Sequence, residues 1–188
     1  MPASGLLTRN QQRLVCLEFA PDKIAAAEVN ALAAITGQEP AASSYYKLYE
    51  HTFGCQLNYS QTMSLNFRGL SYIPHVVLDT NGKLFFKPTS RGVVSRRKHA
   101  LHNLSRIPVY FEWFIPNEQK DVFCVHPSKG CLKPNESLAL TWDFTPSATR
   151  HYATSFNCKV FATSPVRDKS GKLMTVADNE LTLTVKGV

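Results

Sequence analysis

The sequence predicts an all-β protein made of two antiparallel β-sandwich units in tandem, the first incomplete, with one short helix. Three observations predict this fold: alternating apolar residues, regularly spaced turn signals and an internal repeat. In Leu138–Phe144 and again in Leu181–Val185, apolar and polar residues alternate, so the two sets of side chains lie on opposite faces of a strand. Turn residues such as Asn81-Gly82 and Ser170-Gly171 separate the runs, as expected between the strands of a sandwich.

The internal repeat has a constant offset of 125 residues in its first stretch. In both copies a polar turn leads into alternating apolar positions and closes with Phe-x-Pro. Later stretches keep the same order with loops of different length, as in a duplicated unit whose loops have diverged. Leu7, Asn10, Val15, Leu17, Phe19 and Pro21 align with Leu132, Asn135, Leu140, Trp142, Phe144 and Pro146; Phe53–Leu57 aligns with Phe156–Val160, and Met63–Gly69 with Leu181–Gly187.

The repeat divides the chain unequally. We expect residues 1–78 to form a partial sandwich and residues 79–188 a complete one with room for seven strands. Asp22 is a suitable N-cap for a short helix near residues 22–36, which Gly37 would end. Because half a sandwich exposes a sheet face and an edge, we expect either further polypeptide toward the N-terminus or a partner strand that supplements the first unit.

Composition excludes several classes of protein. No run reaches the roughly 18 apolar residues that a membrane helix requires, and the start of the chain lacks a secretory signal. A cytoplasmic protein without a transmembrane segment is therefore expected. The five cysteines form no C-x-x-C pair, and His99 and His102 make a poor metal pair. We find no nucleophile elbow, phosphate loop or paired carboxylates, so the sequence predicts no enzyme and no cofactor.

Positive charge is concentrated in one part of the chain. Between Thr80 and Phe111 there are seven Lys and Arg residues and no Asp or Glu. Such a face is typical of docking to an acidic partner, although charges also protect sheet edges from aggregation. Nucleic acid is disfavoured as the partner because the region lacks interleaved aromatic residues for base stacking. The predicted partner-binding residues are Arg91, Arg96, Arg97, Lys98 and Arg106.

The order of motifs from residue 84 onward resembles a known family. Phe86-Lys87-Pro88 is followed by Leu101-His102-Asn103-Leu104-Ser105, and then by Pro108 and an aromatic strand, Val109–Trp113. This succession resembles the ASH or major-sperm-protein type of immunoglobulin-like (Ig-like) domain, and the wider set is similar to hydin-like proteins of the ciliary central apparatus. The continuation fits as well, with Phe123-x-Val125-x-Pro127, Pro134-Asn135-x-Ser137, Phe144-x-Pro146, Tyr152 and Phe156-x-Cys158-x-Val160.

The resemblance implies a non-catalytic structural or docking segment of the axoneme in a cilium or flagellum, which binds other axonemal proteins through Ig-like modules. It leaves one alternative open. Major-sperm-protein domains of the membrane-contact type recognise acidic peptide motifs through a basic sheet face, and the basic run Arg96–Lys98 suits that role too.

Two tryptophans are the predicted core anchors. Trp113 and Trp142 each lie in an aromatic strand. Burying such a side chain stabilises the folded state by about 3 kcal/mol.

Overall fold

The computed structural model describes residues 5–21, 45–57 and 61–188. These residues form eleven β-strands and a short 3-10 turn at Asn117–Gln119, which confirms the all-β class. The strands are β1 (Tyr46–Leu57), β2 (Gln61–Tyr72), β3 (Val76–Leu78), β4 (Lys83–Phe85), β5 (Ser95–Asn103), β6 (Val109–Phe114), β7 (Phe123–His126), β8 (Lys129–Leu132), β9 (Ser137–Phe144), β10 (Tyr152–Phe161) and β11 (Asn179–Gly187).

Strands β3 to β11 form a sandwich of two sheets. One sheet has five strands in the order β4-β11-β10-β6-β8, and the other has four in the order β3-β5-β9-β7. Neighbouring strands are antiparallel except β4, which runs parallel to β11. Consecutive strands are therefore often in different sheets, so residues that are distant in sequence become neighbours.

Alternation along the strands separates the core from the solvent. In β9, Leu140, Trp142 and Phe144 are fully buried while the residues between them lie on the outer face. Both predicted anchors are in the core, with Trp113 and Trp142 in an edge-to-face contact at 5.2 Å between ring centroids. Trp142 also stacks on Phe156 of the opposite sheet at 5.3 Å, so the aromatic rings join the two sheets.

The core contains a buried histidine. His99 of β5 is 3% exposed, and its ring lies 6.3 Å from that of Trp142 and 6.4 Å from that of Trp113. Burial lowers the pKa of His99, and the negative charge of Asp79 opposes this only in part. His99 and His102 lie on opposite faces of β5, as the sequence predicts, and His102 instead pairs with Ser137 at 2.6 Å.

The buried histidine predicts a loss of stability in acid. A group whose pKa is lower in the folded state binds a proton more readily when unfolded, so its stabilising effect is present above the ordinary histidine pKa and declines as the pH falls below about 6.5. We expect the urea concentration at the unfolding midpoint to decrease as the pH is lowered from about 7 to about 5. In the His99→Phe variant, this dependence of the midpoint on pH should be weaker. A His102→Gln control should retain it; equal slopes in all three proteins would contradict the assignment.

Strands β1 and β2 form a long hairpin outside the sandwich. Their twelve pairs run from Tyr46↔Tyr72 to Leu57↔Gln61. The base of the hairpin contacts the sandwich: Ile73 is buried, Tyr45 stacks on His75 at 3.7 Å, and Asn179 donates a hydrogen bond to the carbonyl of Pro74.

The expected division of the chain needs one correction. Val76–Leu78 pairs with β5, so this strand belongs to the sandwich, whereas the sequence predicts the boundary after residue 78. The sequence pattern missed it because the strand is three residues long and follows β2 closely. The helix expected near residues 22–36 lies outside the described residues, and the partial sandwich at 1–78 stays a prediction.

Candidate partner-binding face

The predicted basic residues centre on β5, whose outward side chains lie on the exposed face of the four-stranded sheet. Pairing brings residues of three strands into rows across this face. Arg96 of β5 lies opposite Asp143 of β9, which lies opposite Cys124 of β7. In the next row, Lys98, Thr141 and His126 are neighbours. We call these six residues the outer face.

Arg96 is neutralised by a neighbouring strand. Its guanidinium donates two hydrogen bonds to the Asp143 carboxylate, from Nε to Oδ1 at 2.7 Å and from the terminal nitrogen to Oδ2 at 3.0 Å. The hydrogen bond from Arg96 holds the pKa of Asp143 below its usual value. Two parallel bonds fix the planar guanidinium in position. The Arg96 guanidinium therefore links β5 to β9, in addition to any contact it makes with a partner.

A second polar pair on the outer face was not predicted from the sequence. The Sγ of Cys124 lies 3.1 Å from Nε2 of His126. The two residues are separated by one position on β7, and alternate residues of a strand share a face. That spacing was the available signal, but it identifies a pair only when the outward face of the strand is known.

The five predicted binding residues do not form one surface. Arg96 and Lys98 share the outer face, whereas Arg97 is half-buried on the inward side of the same strand, because successive side chains point to opposite faces. Arg91 lies in the turn before β5. Arg106 follows the other end of that strand, roughly 25 Å away.

The basic stretch is nevertheless poorly neutralised. Of its seven cationic side chains, Arg96 is the one that forms an ion pair within the part of the chain that the structure describes. Arg91 and Lys98 are exposed, and the backbone N–H of Gly92 bonds to the carbonyl of Pro146, which ties this turn to the end of β9. The exposed positive charges of Arg91 and Lys98 therefore lie near the N-terminal end of β5.

The described ranges contain neither a metal-binding cluster nor a membrane-spanning helix. Among residues 5–21, 45–57 and 61–188, no three His, Cys, Asp or Glu side chains are grouped closely enough to hold a metal ion. The same residues contain no helix that is long and apolar enough to span a membrane.

Comparison with known proteins identifies the family. Residues 75–182 match the family model described as CFAP65, seventh Ig-like domain. Cilia- and flagella-associated protein 65 of Chlamydomonas reinhardtii is 33% identical over 162 residues, which is 86% of this chain and 7% of that protein. The human protein of the same name is 36% identical over 107 residues, 55% of this chain and 6% of that protein. The chain therefore spans a small part of the length of its relatives.

Among solved structures, the ASH/PapD-like domain 7 of human CEP192 has a TM-score of 0.46 and 16% identity, covering 60% of this chain and 82% of that domain. The family match covers more than half of the chain and lies within residues that fold as the sandwich. It confirms the resemblance to Ig-like domains of ciliary proteins. The chain belongs to the cilia- and flagella-associated protein 65 family, and its β-sandwich matches the seventh Ig-like domain of that family.

Proposed function

We propose that this chain is a non-catalytic docking segment of an axonemal protein in cilia or flagella, and that it binds an acidic surface of another axonemal protein. Membership of the cilia- and flagella-associated protein 65 family supports the location and the structural role. The observation that carries the docking role is the set of exposed cations without carboxylate partners at the start of β5.

The geometry favours a smaller set of contacts than the sequence pattern. Lys98 lies on the outer face and Arg91 in the turn before β5, and both are exposed. Arg96 lies between them in sequence, but its guanidinium is already bound to the Asp143 carboxylate. Arg91 and Lys98, which have no carboxylate partner among the described residues, form the proposed docking patch, which omits Arg96, Arg97 and Arg106.

Charge reversal in the docking patch tests the proposal. The Arg91→Glu/Lys98→Glu variant should bind isolated, salt-extracted axonemes at least about tenfold more weakly, because two cations then become like charges facing an acidic partner. Bound and free protein are measured by sedimentation over a range of protein concentrations. Wild-type binding should also weaken as the salt concentration rises, since exposed charges are screened.

A matched control separates the patch from net charge. Arg106→Glu/Lys133→Glu makes the same change in charge at the opposite end of the sandwich, where both side chains are exposed. It should bind like the wild type. Equal loss in both variants would indicate nonspecific attraction, and unchanged binding in the Arg91/Lys98 variant would reject the docking patch. Circular dichroism should show the same fold in all three proteins.

A further inference from the structure

The outer face carries a cysteine and a histidine in direct contact. The Sγ of Cys124 lies 3.1 Å from Nε2 of His126, and both side chains are exposed. The two residues are separated by one position on β7, so they project from the same face of the sheet. An imidazole at this distance is placed to take the thiol proton when the sulfur attacks an electrophile, which is the arrangement that activates a cysteine nucleophile.

Two charged residues on neighbouring strands lie beside this pair. Asp143 of β9 is directly opposite Cys124, and Lys98 of β5 is in the same row as His126, with Thr141 between them. The hydrogen bond from Arg96 is the main cause that lowers the pKa of Asp143, and the charge of His126 acts in the same direction. The Asp143 carboxylate is therefore close enough to stabilise the positive imidazole that forms when His126 takes a proton.

The position of β7 leaves the Cys124 thiol open to an approaching molecule. In the sheet order β3-β5-β9-β7, this strand is at the edge and has a neighbouring strand on one side. Cys158 is the contrasting case, because it is buried between the sheets and burial raises the pKa of its thiol. Thiol–disulfide exchange depends on access to the attacking sulfur, so Cys124 has the required exposure and Cys158 does not.

A metal ion fits the pair less well than a covalent partner does. Cysteine and histidine are common zinc ligands, but a zinc site uses three or four protein ligands. Among residues 5–21, 45–57 and 61–188, no third His, Cys, Asp or Glu is grouped with the pair closely enough to complete such a site. Both oxygens of the facing carboxylate, Asp143, already accept bonds from Arg96. The pair is therefore better suited to reaction at the sulfur than to coordination.

We propose that Cys124 is a site of reversible S-thiolation by low-molecular-weight disulfides of acidic peptides, with His126 as the general base. The Cys124 sulfur attacks one sulfur of the disulfide, so a new S–S bond forms to one half while the original S–S bond breaks. The thiol proton passes to Nε2 of His126 and then to the other half, which leaves as a free thiol. Cys124 is oxidised to the mixed disulfide, and the leaving half is reduced.

The acidic character of the peptide follows from the charge around the thiol. The Lys98 ammonium is exposed in the row next to Cys124 and has no carboxylate partner among the described residues. A disulfide that carries carboxylates is attracted to this cation, whereas a cationic disulfide is repelled.

The other cysteines of the chain are internal references for the test. Cys131 is exposed on β8, and no histidine contacts its sulfur in the part of the chain that the structure describes. The reduced chain is mixed with glutathione disulfide as the probe, samples are quenched in acid, and peptide mass spectrometry gives the rate of addition at each cysteine. We expect Cys124 to react at least about tenfold faster than Cys131, and Cys158 to stay unmodified while the chain is folded.

Two histidine variants separate the role of the imidazole from exposure alone. His126→Gln should slow addition at Cys124 at least about tenfold and leave the rate at Cys131 unchanged. His102→Gln is the matched control, because His102 is on the outward side of β5 and bonds to Ser137 instead; it should react like the wild type. Equal rates at Cys124 and Cys131 in the wild type, or equal rates at Cys124 in both variants, would overturn the proposal. Circular dichroism should show the same fold in all three proteins.

A third variant tests the class of disulfide. Lys98→Gln should slow the reaction of Cys124 with glutathione disulfide about threefold, the size expected for one exposed charge. The same substitution should not slow the reaction with cystamine, a cationic disulfide of similar reactivity. Equal slowing with both probes would reject acidic peptides as the preferred class.

Discussion

Replacing Trp142 with alanine should strongly destabilise the sandwich. Trp142 is fully buried, stacks on Phe156 and meets Trp113 edge-on, so its removal leaves a cavity between the two sheets. Truncating a core tryptophan costs about 3–5 kcal/mol. Because whole domains are stable by about 5–15 kcal/mol, this loss removes a large part of the total. The expected drop in melting temperature is about 12 °C or more.

The measurement is urea and thermal unfolding followed by far-ultraviolet circular dichroism. Phe85→Ala is the matched control: Phe85 is 57% exposed on β4, so its truncation should shift the urea midpoint little. A Trp142→Ala protein that remains as stable as the wild type and loses only axoneme binding would show that Trp142 is a contact residue and not a core anchor.

Replacing Asn103 with alanine should destabilise the sandwich almost as strongly, through lost hydrogen bonds. Asn103 is 1% exposed at the end of β5. Its amide donates to the carbonyls of Ile107 and Lys133, each at 2.9 Å, and its oxygen accepts from the N–H of Ser105 at 3.0 Å and from the Ser105 hydroxyl. One side chain thus joins the β5–β6 loop to the end of β8.

Alanine would leave the buried N–H and hydroxyl of Ser105 without their acceptor and the part-buried carbonyls of Ile107 and Lys133 without their donor. Each buried unsatisfied group costs about 1–3 kcal/mol. We expect a loss of at least about 3 kcal/mol in the free energy of unfolding, measured by urea titration. Asn103→Asp should be no better tolerated, because a carboxylate would face the same two carbonyls without a donor. Ser137→Ala, which removes an exposed partner of His102, should cost much less; a similar loss in both would contradict the role of Asn103.

The Leu-x-Asn-x-Ser run around Asn103 is a motif that indicates the family but does not reveal what Asn103 does in the fold. In the sequence it served to indicate the family, and its order with Pro108 was informative. Its physical purpose became visible only in the fold, since Asn103 bonds to Lys133, 30 residues away. The carbonyls it satisfies belong to a loop and to a strand end that local pattern does not place together.

In the basic stretch around the docking patch, the charges are visible in the sequence, but their neighbours in the fold are not. The charge run is evident in the sequence, but the sequence pattern does not show that Arg96 has a carboxylate partner. Asp143 lies 47 residues further along the chain and reaches Arg96 only because β9 lies beside β5 in the four-stranded sheet. The sequence prediction places Arg97 on the same face as Arg96 and Lys98, although the two-residue period of a strand turns it inward. That error could have been avoided from the sequence.

By itself, the sequence determined the all-β class and the two tryptophan anchors, because the alternation of apolar and polar residues and the turn residues are local features. Only the tertiary structure decided which strands are neighbours, and hence the Arg96–Asp143 pair and the Cys124–His126 pair. It also decided that one face of β10 is buried whereas the aligned strand β1 is mostly exposed on both faces, because burial depends on the sheet that lies opposite and not on the strand's own residues.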